Sequence, residues 1–197
     1  TIQRDVAHRC LDRLAALGGF GVMNCDAEWN DSRETLFAEI FLDYYTETGD
    51  PHLFERGICA LKSGFTMMYC PENPKQKQQW EKAHPFFGPE DYGFTMENYG
   101  HDGVTSSEGV GIGVFTCFDW GNGAAAEAWN RIHDHYGDVF ISRNHRHAFV
   151  IDSGILEATS TGWTVKNPAG NARALRVIFS DGTAVAVEPG GSTTIPA

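Results

Sequence analysis

The chain has 197 residues, 42% of them hydrophobic and 12% aromatic, enough for one domain or one domain with a small appendage, and too apolar for global disorder. Its formal net charge of −11, with no Lys/Arg-rich run, excludes an electrostatic binder of nucleic acid or of anionic lipid. It has no apolar run of about 18 residues, which excludes a helical membrane span.

The first residues, "TIQRDVAHRC", lack an apolar signal core, and Thr1 in place of Met points to a removed signal or to a piece of a longer chain. From Ile2 to Leu17, the three- and four-residue spacing of Val6, Cys10, Leu11, Leu14 and Leu17 predicts a helix that "LGG" closes. "DAEWND", Asp26 to Asp31, places oxygen ligands at alternate positions, like the start of a calcium loop. It lacks that loop's glycine at position six and glutamate at position twelve, and the alternative reading takes Asp26 and Glu28 as catalytic acids, because they precede a helix. Asp31 or Ser32 caps a second helix carrying Leu36, Phe37, Ile40, Phe41, Tyr44 and Tyr45. Gly49 of "TETGDP" breaks that helix, and Pro51 opens a third, with Leu53, Phe54, Ile58, Leu61, Phe65 and Met68, that stops at "CPENP". Residues 31–70 therefore read as an antiparallel helical hairpin.

From Pro71 to Asn122 no strong period is present, apart from a short helix around Gln76 to Lys82. A stretch this long in a compact domain is expected to be functional or to hold structure that periodicity does not reveal. A fourth helix follows over Gly123 to Tyr136, with Asp119 ahead of it as a cap. The chain then changes character. "DVFISR", "HAFVID", "ILEATS", "GWTVKN" and "ALRVIFSDGTAVAVEPGGSTTIPA" are short β-branched runs split by Gly, Asn, Asp and Pro, and Asp181-Gly182 is a hairpin signal. The predicted class is α+β, with helical hairpins over 1–137 and a small antiparallel β-sandwich unit over 138–197.

The five cysteines form no CxxC pair, which leaves a structural zinc site without support. Cys10, Cys59 and Cys117 sit among apolar residues and read as buried small hydrophobes. His145 and His147 would share one face of a strand, whereas His133 and His135 do not share a helical face, and no carboxylate completes a metal set. "GVGIGVF" lacks the third glycine and preceding strand of a dinucleotide loop. The expectation is no cofactor, with calcium at Asp26–Asp31 as the alternative.

The string "LDYYTETGDPHLFERGICALKSGFTMM" resembles the repeating hairpin of six-hairpin, (α/α)6-toroid carbohydrate-active enzymes: an aromatic-rich inner helix, a "TGD" turn, then "ER…AL" on the outer helix. A β-sandwich after the last helices also fits that group, which includes glycoside hydrolases and polysaccharide lyases. The resemblance implies a carbohydrate substrate, a groove where inner helices and long loops meet, and a chain standing for the last third of such an enzyme. A missing N-terminal segment or a second chain would then complete the fold.

The long loop carries the candidate chemistry in "FFGPEDYGFTMENYGHDG" and "FDWGNGAAAEAW". Phe86, Phe87, Tyr92, Phe94, Tyr99 and Trp120 are candidate platforms for the C–H faces of sugar rings, or else the loop's own core. Hydrolysis needs two carboxylates, and Glu97 with Asp102 is the preferred pair among Glu90, Asp91, Glu97, Asp102 and Asp119. Elimination from a uronate needs a base and an acid, and by the family's residue types His101 and Tyr99 would serve, with Asn98 on the substrate carboxylate. Carboxylates outnumber bases in the loop, which favours hydrolysis. The site is expected at Glu97, Asp102, Tyr99 and His101, with Asn98, Tyr92, Trp120 and Phe87 holding substrate. The rival is a non-catalytic carbohydrate-binding or scaffold module. Polysaccharide chemistry suits a secreted or periplasmic setting.

Overall fold

The computed structural model describes residues 30–65, 68–72, 74–83, 85–94, 98–99 and 118–196. A 3-10 turn, Ser32–Phe37, leads into helix α1, Ala38–Thr48, and helix α2 spans Pro51–Ser63. The turn between them explains both ends. Gly49 takes φ +72°, and its N–H donates to the Tyr45 carbonyl at 2.7 Å, the left-handed close of a helix. Asp50 caps the next helix by accepting the His52 N–H at 3.1 Å, and Pro51 fills the first helical position, where no N–H is needed. The helix stops at Ser63, short of the expected Phe65 and Met68. There the Ser63 hydroxyl turns back onto the Ala60 carbonyl at 2.7 Å, and Gly64 follows.

Helix α3, Pro74–Ala83, lies where the short helix was expected. Helix α4 runs over Phe118–Tyr136, five residues longer at its start than the alanine-rich run suggested. Asp119 is thus inside its first turn rather than ahead of it. Gly137 ends α4 at φ +71°, with its N–H on the His133 carbonyl at 2.9 Å. A Cβ there would lie 2.6 Å from the Arg176 carbonyl oxygen, so the junction needs glycine for conformation and for space.

Strands β1, Asn30–Asp31, and β2, Asn98–Tyr99, form an antiparallel pair with Asn30 opposite Tyr99. The remaining strands are β3 (Val139–Ser142), β4 (His147–Val150), β5 (Ile155–Thr159), β6 (Gly162–Lys166), β7 (Leu175–Phe179), β8 (Ala184–Val187) and β9 (Ser192–Pro196). They form two open sheets, β4-β3-β7-β8 and β5-β6-β9. The fold is therefore mixed α+β. All pairings are antiparallel except β3 with β7, where Val139 lies opposite Val177 in a parallel register. Asp181-Gly182 makes the expected tight hairpin between β7 and β8, with Gly182 at φ +81°.

The chain divides into two compact units, Thr1–Tyr44 with Arg56–Trp129, and Tyr45–Glu55 with Asn130–Ala197. In the second unit both sheets feed one apolar cluster, including Val139, Ile141, Val165, Val177, Phe179 and Ile195. The opposite face of β3 and β4 carries Phe140 and Phe149, which stack against Phe54 at 5.4 and 4.2 Å. Tyr136 packs edge-on to Phe140 at 5.0 Å. This explains why all four residues of β3 are buried: one face meets the second sheet and the other meets helix-borne rings.

One buried carboxylate ties this unit together. Asp138 is fully buried, and Arg173 grips both its oxygens, at 2.6 and 2.9 Å. It also accepts the Arg176 backbone N–H at 2.7 Å, and His133 Nε2 lies 3.0 Å away. Its own carbonyl accepts the Ile151 N–H, so α4, β4 and the approach to β7 converge on one residue. Burial alone would raise this carboxyl. The bonds from Arg173, Arg176 and His133 outweigh it and hold the group below the usual carboxylate range.

Candidate functional site

In the first unit the chain from Tyr69 to Phe94 closes on itself. The Tyr69 N–H donates to the Phe94 carbonyl at 2.7 Å, and the Gly93 N–H donates back to the Tyr69 carbonyl at 2.8 Å. Helix α3 inside this loop is polar throughout, PKQKQQWEKA, except for one large ring. That ring, Trp80, is fully buried, as is Tyr69. A short polar helix is marginal alone, so burial of Trp80 accounts for its place.

Phe87 is the hub. It stacks on Trp80 at 5.3 Å and 17°, and on Phe94 at 5.7 Å and 26°. Tyr69 approaches it at 5.5 Å, and Phe86 stands edge-on at 5.2 Å. Tyr92 meets Tyr69 at 5.0 Å. Exposure grades outward from the buried floor of Trp80 and Tyr69, through half-buried Phe87, to Tyr92 at 37% and Phe86 at 74%. The result is an aromatic ledge with a dry base and an open rim.

The rim is held by a single 3-10 turn, Pro89–Asp91. The Asp91 carboxylate accepts the Gly88 N–H at 3.0 Å, and the Asp91 N–H donates to the Gly88 carbonyl at 2.9 Å. The Glu90 carboxylate folds back over Gly88, so close that a Cβ there would lie 2.6 Å from its oxygen. Beneath, the Tyr69 hydroxyl donates to Glu81 at 2.8 Å, and Lys77 reaches the same oxygen. Burial first, and then the Glu81 carboxylate, push the Tyr69 phenol up to about 12. Lys77 and then Tyr69 hold Glu81 below its usual value. Glu81 is thus an ionised acceptor at neutral pH, whereas a general acid needs its pKa raised.

Of the expected site residues, Phe87 and Tyr92 come together on this ledge. Phe86 and Phe94 join them, along with Glu90 and Asp91 of its turn. Asn98 and Tyr99 form β2, with their backbone paired to Asn30 and Asp31. Trp120 falls in the first turn of α4. Glu97, His101 and Asp102, and with them Asp26 and Glu28, lie outside the described residues. So do Cys10, Cys25, Cys117 and the "GVGIGVF" segment. Sequence reasoning passed over Tyr69 and Trp80, although a lone tryptophan in a ten-residue polar helix was the available signal.

His145 lies in the turn before β4 rather than on a strand, while His147 opens β4, and both meet Tyr45, at 5.4 and 6.0 Å between rings. His147 Nδ1 lies 3.3 Å from the Tyr45 hydroxyl, and His145 Nε2 lies 3.2 Å from the Thr46 carbonyl oxygen. Among the described residues, no group of three or more His, Cys, Asp or Glu could hold a metal ion. Cys59 and Cys70 are half-buried. No described helix is long and apolar enough to cross a membrane. Compared with protein-family models, curated proteins and solved structures, the chain matches none of them.

Proposed function

We propose that this chain is a carbohydrate-active protein, a glycoside hydrolase of toroid type, in which the ledge around Phe87 receives a sugar ring and the loop leaving it at Phe94 supplies the chemistry. The ledge is the observation that carries this reading. Phe86 keeps 74% of its surface exposed while packing edge-on to a buried stack, so a flat apolar face is presented to solvent. Sugar rings offer C–H faces that cover such surfaces. The α1–α2 hairpin with its capped "TGD" turn is consistent with toroid-type architecture.

The carboxylate beneath the ledge, Glu81, is half-buried and held ionised, so proton donation falls to the downstream candidates. Glu97 is three residues beyond Phe94, and Asp102 eight. In this reading one of them protonates the leaving oxygen while the other acts on water or on the anomeric carbon. The ionised state of Glu81 also favours a second reading, a module that binds carbohydrate at the ledge without turning it over.

The test is a product assay on neutral and uronate polysaccharides that reads reducing ends and the ultraviolet absorbance of unsaturated sugars together. Reducing ends without absorbance are expected, with at least a hundredfold loss in Glu97→Gln and Asp102→Asn. Absorbance rising with reducing ends would move the chemistry to Tyr99 and His101. Binding without products would leave the module.

A further inference from the structure

We infer that the ledge selects neutral glycans and turns away uronates, because the turn that presents Phe86 and Tyr92 carries two carboxylates, Glu90 and Asp91, at the ledge's rim. This inference rests on the carbohydrate reading and narrows it to a substrate class.

Neutral sugars offer hydroxyl donors, and a rim of carboxylate acceptors suits them. Asp91 is fixed by its bond to the Gly88 N–H, one residue from Phe87. Glu90 is solvent-exposed but drawn back over the same glycine, the neighbour of Phe87 in the chain. Lys77, on helix α3, is taken up by Glu81. The whole chain stands at −11. A uronate seated on Phe86 would bring a third carboxylate to this turn. At about 6 Å, repulsion from one such charge amounts to roughly threefold in affinity at water's dielectric and about a hundredfold at the value typical near a protein surface.

The experiment is titration calorimetry of the whole chain against neutral glucan, mannan, xylan and galactan oligosaccharides, and against uronate oligomers with and without methyl esterification. Esterification removes the charge and keeps the ring. At least one neutral ligand is expected to bind, with binding lost in Phe86→Ala at unchanged thermal stability. A free uronate should bind about tenfold more weakly than its ester. The gap should narrow in 0.5 M salt, which screens exposed charge, and in Glu90→Gln. Equal or tighter binding of the free uronate would overturn the selectivity and leave the carbohydrate reading standing. Absence of binding to every sugar, from a folded sample, would remove both.

Discussion

At the scale of single residues, two side chains decide the most. Asp138 organises the second unit through four hydrogen bonds to its carboxylate. Asp138→Asn removes the charge but leaves Arg173 and the Arg176 N–H facing an amide, and breaking a buried pair from one side costs about 3–5 kcal/mol. Arg173 is half exposed, so water recovers part of this, and a loss of about 3 kcal/mol in urea unfolding at pH 7 is expected. The sign with pH follows from the depressed folded-state pKa. The carboxylate's contribution is fully present above the unfolded value of about 3.9 and fades as pH falls through the lower folded value. Wild type should therefore lose stability below about pH 4 more steeply than Asp138→Asn, which has already lost that share. Phe87 and Phe86 separate packing from presentation. Phe87→Ala removes a ring stacked on Trp80 and should cost about 2 kcal/mol, below the full range for a wholly buried phenylalanine. Phe86→Ala should stay within about 0.5 kcal/mol in thermal unfolding, because most of that ring is already in water. The aromatic run was legible as a cluster in the sequence. Asp138 was not, because Arg173 and Arg176 stand 35 and 38 positions away and no local pattern pairs them.

At the scale of elements, the turn of the α1–α2 hairpin was legible to the residue, because Gly49, Asp50 and Pro51 each have a single physical task in a helix-to-helix turn, whereas the outer ends were not: the first helix opens as a 3-10 turn and the second stops at Ser63. The strand runs were legible for a similar reason, since β-branched residues alternated with Gly, Asn and Asp. The parallel pairing of β3 with β7 was not, because sheet order depends on contacts between distant segments. Gly57 tests the hairpin's packing. A Cβ there would come within 2.0 Å of Leu42 Cδ1 and 2.8 Å of the Ala38 carbonyl oxygen, so α1 and α2 approach backbone to backbone at this glycine. Alanine would gain about 1 kcal/mol in helix propensity. Overpacking costs about 1–3 kcal/mol and sometimes more, and here it falls partly on a rigid carbonyl. Gly57→Ala is expected to lower the thermal midpoint by several degrees. Adding Leu42→Ala should recover part of the clash but not the part due to Ala38, which a double-mutant cycle would read as positive coupling of about 1 kcal/mol.

At the scale of the molecule, the second unit is assembled from two distant stretches, 45–55 and 130–197, and this governs what can fold alone. A fragment of residues 138–197 keeps every strand of both larger sheets and the whole cluster around Val139, Val165 and Ile195. It loses Tyr45, Phe54 and Tyr136, the rings that cover the opposite face of β3 and β4. Each aromatic pair contributes about 0.5–1.5 kcal/mol beyond the area it buries, and Phe140, now 5% exposed, would enter water together with Phe149. The fragment also loses the His133 contact to Asp138, while Arg173, Arg176 and the β-sheet bonds remain. Hydrophobic β-edges with an uncovered aromatic face associate, so the fragment is expected to be poorly soluble, to bind a hydrophobic dye strongly and to melt without a sharp transition. The whole chain keeps all three rings and should melt cooperatively with little dye binding. A soluble, dye-silent fragment with a sharp melt would mean that the two sheets suffice on their own and that the helix-borne rings merely rest against a finished β unit.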